Sequence, residues 1–217
     1  MKLTAQSISM EYKDGERIKK IIDSVDLCFE SPDMNVLVGP SGSGKSTLLY
    51  MLSALRKPTG GSILFNGRII DTDRIAERTR AEKFGFIFQR HFLIPYLTVM
   101  ENVRMGTESK AADRDIKELL DRLSIADLAD KKPFQMSGGQ CQRAAIARAL
   151  IKKPSVIFAD EPTASLDRTN AENIYSLLRE CADRSIVIIA THDTSLLAGD
   201  EDIYRIADCK VEKEPWS

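Results

Sequence analysis

The sequence has 217 residues, room for one generous domain or a core with a small subdomain, and enough chain to bury a sizeable core. Its 31 Lys and Arg oppose 32 Asp and Glu, a net charge of -1, so no basic excess is available to hold a phosphate backbone and nucleic acid is not the expected partner. The hydrophobic fraction is 43%, yet apolar runs such as Ile186 to Ala190 stop far short of the roughly 20 residues of a membrane span.

In chain order, the first stretch, to about Val25, alternates weakly through Leu3, Ile8, Met10 and Tyr12, which predicts antiparallel strands flanking a main sheet. Asn35 to Val38 is a short apolar run that leads into Gly39-Pro-Ser-Gly-Ser-Gly-Lys-Ser-Thr47, and Leu48 to Leu55 follows with helix-forming apolar residues. Gly85 to Phe88, Ser155 to Ala159 and Ile186 to Ala190 read as strands buried on both faces of a mostly parallel sheet. Between them run amphipathic helices. Ile116, Leu119, Leu120 and Leu123 keep the i, i+3, i+4, i+7 spacing within Asp113 to Ser124, as do Ile174, Leu177, Leu178 and Cys181 within Glu172 to Ala182. The segment from about His91 to Lys152 carries no strand pattern. The expectation is an α/β core of residues 1–90 and 153–217 with a helical subdomain, 91–152, inserted into it.

No basic stretch with an apolar core follows Met1, and Cys28, Cys141, Cys181 and Cys209 are scattered without Cys-x-x-Cys spacing. A reduced, cytosolic chain is expected, with neither a disulfide framework nor a zinc site.

The sharpest chemical signal is Gly39-x-x-x-x-Gly44-Lys45-Ser46, a phosphate-binding loop placed between a strand and a helix. Its glycines let successive backbone N–H groups turn inward around a triphosphate, Lys45 reaches the β- and γ-phosphates, Ser46 offers a hydroxyl to Mg²⁺, and the next helix points its positive end at the anion. From average residue usage the pattern arises by chance in about 1% of chains this long. The same chemistry needs a carboxylate at the end of a buried strand, and Val156-Ile-Phe-Ala-Asp160-Glu161 supplies two. Asp160 is the expected Mg²⁺ ligand and Glu161 the group that orients or deprotonates the attacking water. A second anion cradle follows from Ser137-Gly138-Gly139-Gln140 ahead of the helical run Ala144 to Leu150. One nucleotide does not need two cradles from one chain.

At this point the sequence resembles the ATP-binding cassette (ABC) ATPases, whose signature is Leu-Ser-Gly-Gly-Gln; Met136 stands here in place of the leucine. The resemblance spans essentially the whole chain in the family order of phosphate loop (Gly39, Pro40, Ser41, Gly42, Ser43, Gly44, Lys45, Ser46, Thr47), Gln89, signature, Asp160-Glu161, Asp167 and His192. It implies a P-loop NTPase fold, an α/β core with a mostly parallel sheet, an antiparallel β subdomain and an inserted helical subdomain. It also implies that Gln89 touches Mg²⁺ and the attacking water, that His192 contacts the γ-phosphate, that Tyr12 stacks on adenine, and that Ser165-Leu166-Asp167 lies at a dimer contact. Two subunits would sandwich two ATP head to tail, the signature of one capping the phosphate loop of the other, which gives the surplus cradle a purpose.

The run Phe84 to Val103 and the stretch Pro58 to Gly67 look most like the ATPases of lipoprotein-release, macrolide-export and antimicrobial-peptide-export systems. That similarity implies an ATPase peripheral on the inner face of the cell membrane, held by a separate transmembrane permease whose coupling helix docks against the residues after Gln89. His91 reads as a solvent-facing or docking residue. Two other readings compete: a soluble cassette regulating a non-transport machine, which relatives with long coiled coils or paired cassettes exemplify and this chain lacks, and a small-molecule kinase, which leaves the signature and the Glu161–His192 pair without a role.

Overall fold

The computed structural model of the protein describes residues 1–15, 17–70, 73–107 and 112–214. Three strands open the chain, β1 (Lys2–Asp14), β2 (Arg17–Glu30) and β3 (Met34–Val38), followed by α1 (Lys45–Leu52). Then come β4 (Gly60–Phe65), β5 (Arg68–Ile69), α2 (Asp73–Lys83) and β6 (Phe84–Ile87). The middle is helical, with α3 (Val99–Arg104), α4 (Ala112–Arg122), two single 3-10 turns and α5 (Gly138–Leu150). The chain closes with β7 (Val156–Asp160), α6 (Arg168–Ala182), β8 (Ile186–Ala190), β9 (Asp202–Ala207) and β10 (Lys210–Glu214).

Two sheets result. The larger has six strands in the order β10-β9-β3-β8-β7-β6, parallel except for the β9–β10 hairpin at one edge; the smaller is antiparallel, β2-β1-β4-β5. Strands β3, β7 and β8 are buried along their whole length, so successive side chains serve different layers. From β7 and β8, Val156, Phe158, Ile186, Ile188 and Ala190 face α1 and the antiparallel sheet. Ile157, Ala159, Val187 and Ile189 face α3 to α6. The stripes Ile116/Leu120/Leu123 and Ile174/Leu177/Leu178 pack into that second layer, as their helical spacing predicts.

The structure departs from the sequence expectation in three places. The N-terminal hairpin runs to Glu30, beyond Val25, and its ladder shifts register between Ala5 and Ile8, Ile8 and Met10, and Met10 and Glu11. Each shift resets the alternation, and for that reason the apolar period along β1 looked weak. Strand β4 pairs with β1 to complete the sheet, although Gly60-Gly-Ser-Ile-Leu-Phe65 carries little strand signal of its own. The β9–β10 hairpin is a charged edge, with Arg205–Glu214 at 2.5 Å and Lys213–Asp202 at 2.6 Å, a pattern that suits an edge strand and hides it from a search for apolar runs.

Phe158 is the pivot of the core. Its ring lies edge-on to Phe84 at 5.2 Å and stacks on Phe86 at 5.7 Å, and it is fully enclosed. Phe158→Ala should therefore cost about 3–5 kcal/mol through lost transfer energy and an unfilled cavity. Urea unfolding followed by circular dichroism measures this, and a loss below about 1 kcal/mol would contradict the packing described.

Candidate functional site

The ends of three strands meet at one edge of the main sheet. In the ladder, Leu37 of β3 pairs with Ala190 of β8, and Ala190 pairs in turn with Asp160 of β7. The pairing continues past the strands, since Thr191 N–H donates to Leu37 O at 3.1 Å and Glu161 N–H donates to Ala190 O at 2.8 Å. The phosphate-loop entrance, Asp160-Glu161 and Thr191-His192 are thus set side by side by backbone hydrogen bonds.

Gly39 begins the loop at φ +155°, and a Cβ there would lie 2.6 Å from Ile206 O and 2.8 Å from Ser43 Oγ, so no side chain fits. Helix α1 starts after Gly44 with no side-chain cap, which leaves its first N–H groups for another acceptor. The Lys45 ammonium curls back into the loop and donates to Gly39 O at 2.7 Å and Pro40 O at 3.1 Å. Ser43 Oγ is buried in the loop without a hydrogen-bond partner among the described residues. An orphaned hydroxyl, uncapped N–H groups and an ammonium satisfied only by backbone carbonyls all fit a polyphosphate.

Asp160 is 4% exposed. Ser46 Oγ donates to its Oδ1 at 2.9 Å and Tyr50 Oη to its Oδ2 at 3.0 Å. Burial pushes the Asp160 carboxyl above the usual range, and these two hydroxyl donors oppose that shift; burial also lifts the Tyr50 phenol to about 12. Ser46 and Asp160 are hard oxygen ligands of the kind that hold Mg²⁺ together with nucleotide phosphates. Among the described residues no group of three or more His, Cys, Asp and Glu is placed to hold a metal ion.

The next residue, Glu161, adopts a left-handed backbone at φ +48°, which turns the chain sharply off the strand. Its carboxylate is held by the residues after β8. Oε1 accepts from His192 N–H at 3.1 Å and lies 2.8 Å from His192 Nδ1, and Oε2 accepts from Thr191 Oγ1 at 3.2 Å. The His192 side chain itself is 65% exposed.

The signature residues form a second centre. Ser137 caps α5 in a reciprocal box with Gln140, whose N–H donates to Ser137 Oγ at 3.3 Å while Ser137 N–H donates to Gln140 Oε1 at 2.8 Å. A Cβ on Gly139 would come within 3.1 Å of Ser165 O and 3.2 Å of Leu166 Cδ2, so this helix start is pressed against the Ser165-Leu166-Asp167 loop. Arg143 donates to Asn170 Oδ1, and Asn170 Nδ2 donates to Asp167 Oδ2 at 2.6 Å. Among the described residues no hydrogen bond joins Ser137 to Gln140 with the phosphate loop.

Gln89 lies just beyond β6, exposed and without a hydrogen bond to any described residue. His91 is half-buried rather than solvent-facing, its Nδ1 3.4 Å from Gln142 Oε1. The Tyr12 hydroxyl accepts from Arg56, whose guanidinium stands 5.2 Å from the ring centre. A cavity of about 390 Å³ between α4 and α6, lined by Leu119, Leu177 and Cys181 among others, contains none of these residues.

Three residues of the site escaped the sequence reading. Tyr50 follows Ser46 by four, which places both on one face of α1, but in Leu48-Leu-Tyr-Met-Leu52 it reads as core. Thr191 sits inside the Thr-His-Asp run beside the more conspicuous His192. Gln142, 1% exposed within an Ala-rich helix, donates to Phe88 O at 3.1 Å and Pro162 O at 3.3 Å, and thereby ties the signature helix to β6 and to the Glu161 turn. A lone polar residue on the buried face of a helix was the available signal.

Comparison with known protein families matches residues 22–164 to the ABC transporter family. The chain belongs to this family. It is 40% identical over 205 residues to the lipoprotein-releasing system ATP-binding protein LolD of Shewanella frigidimarina, covering 90% of this chain and 86% of that one. It is 42% identical over 218 residues to the macrolide export ATP-binding/permease protein MacB of Salmonella choleraesuis, covering 96% of this chain and 34% of MacB. The cassette thus spans about a third of the length of its MacB relatives. Among solved structures, the dimeric cassette MJ0796 in a post-hydrolysis state, bound to ADP and Pi, superposes with a TM-score of 0.90 at 35% identity over 99% of both chains. A bacterial Atm1-family ABC exporter with ATP bound superposes with a TM-score of 0.85 at 27% identity, over 99% of this chain and 38% of that one. The fold is that of an ABC ATPase.

The raised pKa of Asp160 has a consequence for stability. The folded protein holds this proton to higher pH than the unfolded chain, so stability falls as pH rises from the ordinary carboxylate range through the folded value. Asp160→Asn should raise the thermal midpoint of the nucleotide-free cassette at about pH 7 and change it little near pH 3, where the carboxyl is protonated in both states. Calorimetric scans at the two pH values measure this; a lower midpoint at neutral pH would contradict the burial argument.

Proposed function

We propose that the cassette binds MgATP at the Gly39–Thr47 loop and hydrolyses it to drive a separate transmembrane permease, in export or release of a substrate. The observation that carries this reading is the junction of three strand ends, where Ser46 bonds to buried Asp160 and the adjacent Glu161 is held by Thr191 and His192. Lys45 would exchange its carbonyl partners for β- and γ-phosphate oxygens, a charge-assisted replacement. Ser46, Asp160 and Gln89 would hold Mg²⁺, which neutralises phosphate charge when bound. Glu161 would accept the proton of the attacking water, and His192, which touches Glu161 and is otherwise exposed, would reach the γ-phosphate. Tyr12 would offer its ring to adenine.

In this reading residues 1–90 and 153–217 form the nucleotide-binding core and 91–152 the subdomain that carries the signature. Two cassettes close head to tail, so that Ser137, Gly138, Gly139 and Gln140 of one cap the nucleotide of the other. The packing of the signature against its own Ser165–Asp167 loop, with no bond to its own phosphate loop, supports a role in trans. The permease would seat its coupling helix on the residues after Gln89, where Phe92 is 62% and Tyr96 72% exposed. No helix among the described residues is long and apolar enough to cross a membrane, in keeping with a cassette held on the inner face of the membrane by its partner. LolD and MacB, named for lipoprotein release and macrolide export, favour an outward-directed system.

Glu161→Gln should retain ATP binding, lower turnover by on the order of 10² or more, and accumulate an ATP-bound dimer on size exclusion. Undiminished hydrolysis with only monomer would overturn both the base and the sandwich. Gly139→Asp should leave ATP affinity of the monomer near that of the unmodified chain while hydrolysis collapses, because a carboxylate is set against the partner's γ-phosphate. Isothermal titration paired with phosphate release tests this, and loss of monomer binding would contradict the trans arrangement.

A further inference from the structure

The Asp160 carboxylate has two donors, and only Ser46 has a place in the reading above. The second, Tyr50, occupies the same face of α1 one turn later, and its hydroxyl donates to Oδ2 at 3.0 Å. Its ring is set edge-on to Phe88, with centroids 6.3 Å apart and planes at 62°, immediately before Gln89. A carboxylate 4% exposed is costly unless its oxygens are bonded, and a carboxylate bonded through one oxygen alone can swing about its Cβ–Cγ axis. With Ser46 on Oδ1 and Tyr50 on Oδ2, both oxygens are fixed and the plane of the group is set.

We propose that Tyr50 is a positioning residue for Asp160, and through it for the divalent cation that enters with the nucleotide. The proposal rests on the nucleotide-site reading above. Tyr50 does not reach the cation in this scheme. Its hydroxyl holds Oδ2 and so keeps Oδ1 turned toward Ser46, and the two hard oxygens present one fixed edge. Outer-sphere partners of metal-ligating carboxylates typically contribute 10–100-fold in metal affinity. A shared site in which phosphates supply part of the ligand set belongs at the lower end of that range.

The experiment uses Tyr50→Phe, which removes one oxygen and keeps the ring against Phe88. Binding of Mn²⁺ to the cassette saturated with ADP is followed by the loss of the free-ion electron paramagnetic resonance signal, and binding of ADP alone is measured in chelator without metal. The expected result is Mn²⁺ affinity lowered by about tenfold, with metal-free ADP affinity and the thermal midpoint unchanged. A control, Phe88→Leu, removes the ring contact and retains the hydroxyl; its Mn²⁺ affinity should stay within about twofold of the unmodified protein, as for a side chain outside the hydrogen-bonded shell. Unaltered Mn²⁺ affinity in Tyr50→Phe would overturn the proposal while leaving the nucleotide site intact. A parallel fall in metal-free ADP affinity would overturn it as well, showing a general disturbance of the loop. Failure of the unmodified cassette to bind ADP at all would instead overturn the nucleotide-site reading, and this proposal with it.

Discussion

A carboxylate kept almost out of water at the end of a buried strand is a standing cost, and most of the site is arranged around that cost. Asp160 can remain ionised only where donors replace its lost hydration. Those donors come from α1, as Ser46 and Tyr50, and α1 begins directly at the phosphate loop. The hydrogen bonds that stabilise the carboxylate therefore also fix how the phosphate loop sits over β7. In the proposed function, a cation held between Asp160 and the nucleotide phosphates would compensate the buried charge of the carboxylate.

The second constraint is register. Because β3, β8 and β7 are neighbours in one parallel ladder, their three exits lie at the same height, and the backbone bonds from Thr191 to Leu37 and from Glu161 to Ala190 extend the ladder one residue into the loops. A slip of one residue would turn Asp160 into the layer occupied by Ile157 and Ala159. Alternation of Phe158 and Ala159 into opposite hydrophobic layers makes that slip prohibitive, since it would also exchange a large ring for a methyl in both cores. Packing in the middle of the sheet thus holds the chemistry at its edge.

The phosphate loop, the paired carboxylates and the three central strands were legible in the sequence because each is local: a contiguous glycine pattern, or an apolar run ending in charge. The antiparallel sheet was only half legible, since bulges at three points of β1 break the period by which strands are recognised, and β4 gains its strand character from pairing with β1. Tyr50, Thr191 and Gln142 were not legible for a different reason. Each is defined by a partner far along the chain, 110 residues away for Tyr50 and Asp160, 30 for Thr191 and Glu161, and 54 for Gln142 and Phe88. Nothing in the local pattern around a tyrosine in a leucine run separates a core ring from one whose hydroxyl reaches a carboxylate.

Those long-range residues also show how the nucleotide edge joins the surface after Gln89. An aromatic series runs from enclosed Phe158 through Phe86 and Phe88 to exposed Phe92, with ring centroids 5.7, 5.7 and 5.4 Å apart. Tyr50 leans on Phe88 from the carboxylate side, and Gln142 holds the Phe88 carbonyl from the signature side. Arg148 of α5 donates to the carbonyls of His91 and Phe92 at 2.8 and 2.7 Å. The segment on which a membrane partner would press is therefore bonded to the signature helix and packed against the tyrosine that steadies Asp160. Close-packed rings and satisfied buried polar groups leave little slack at the enclosed end of this connection, between Phe158 and Phe88. Gln89, exposed and without a hydrogen bond to any described residue, lies where these restraints meet.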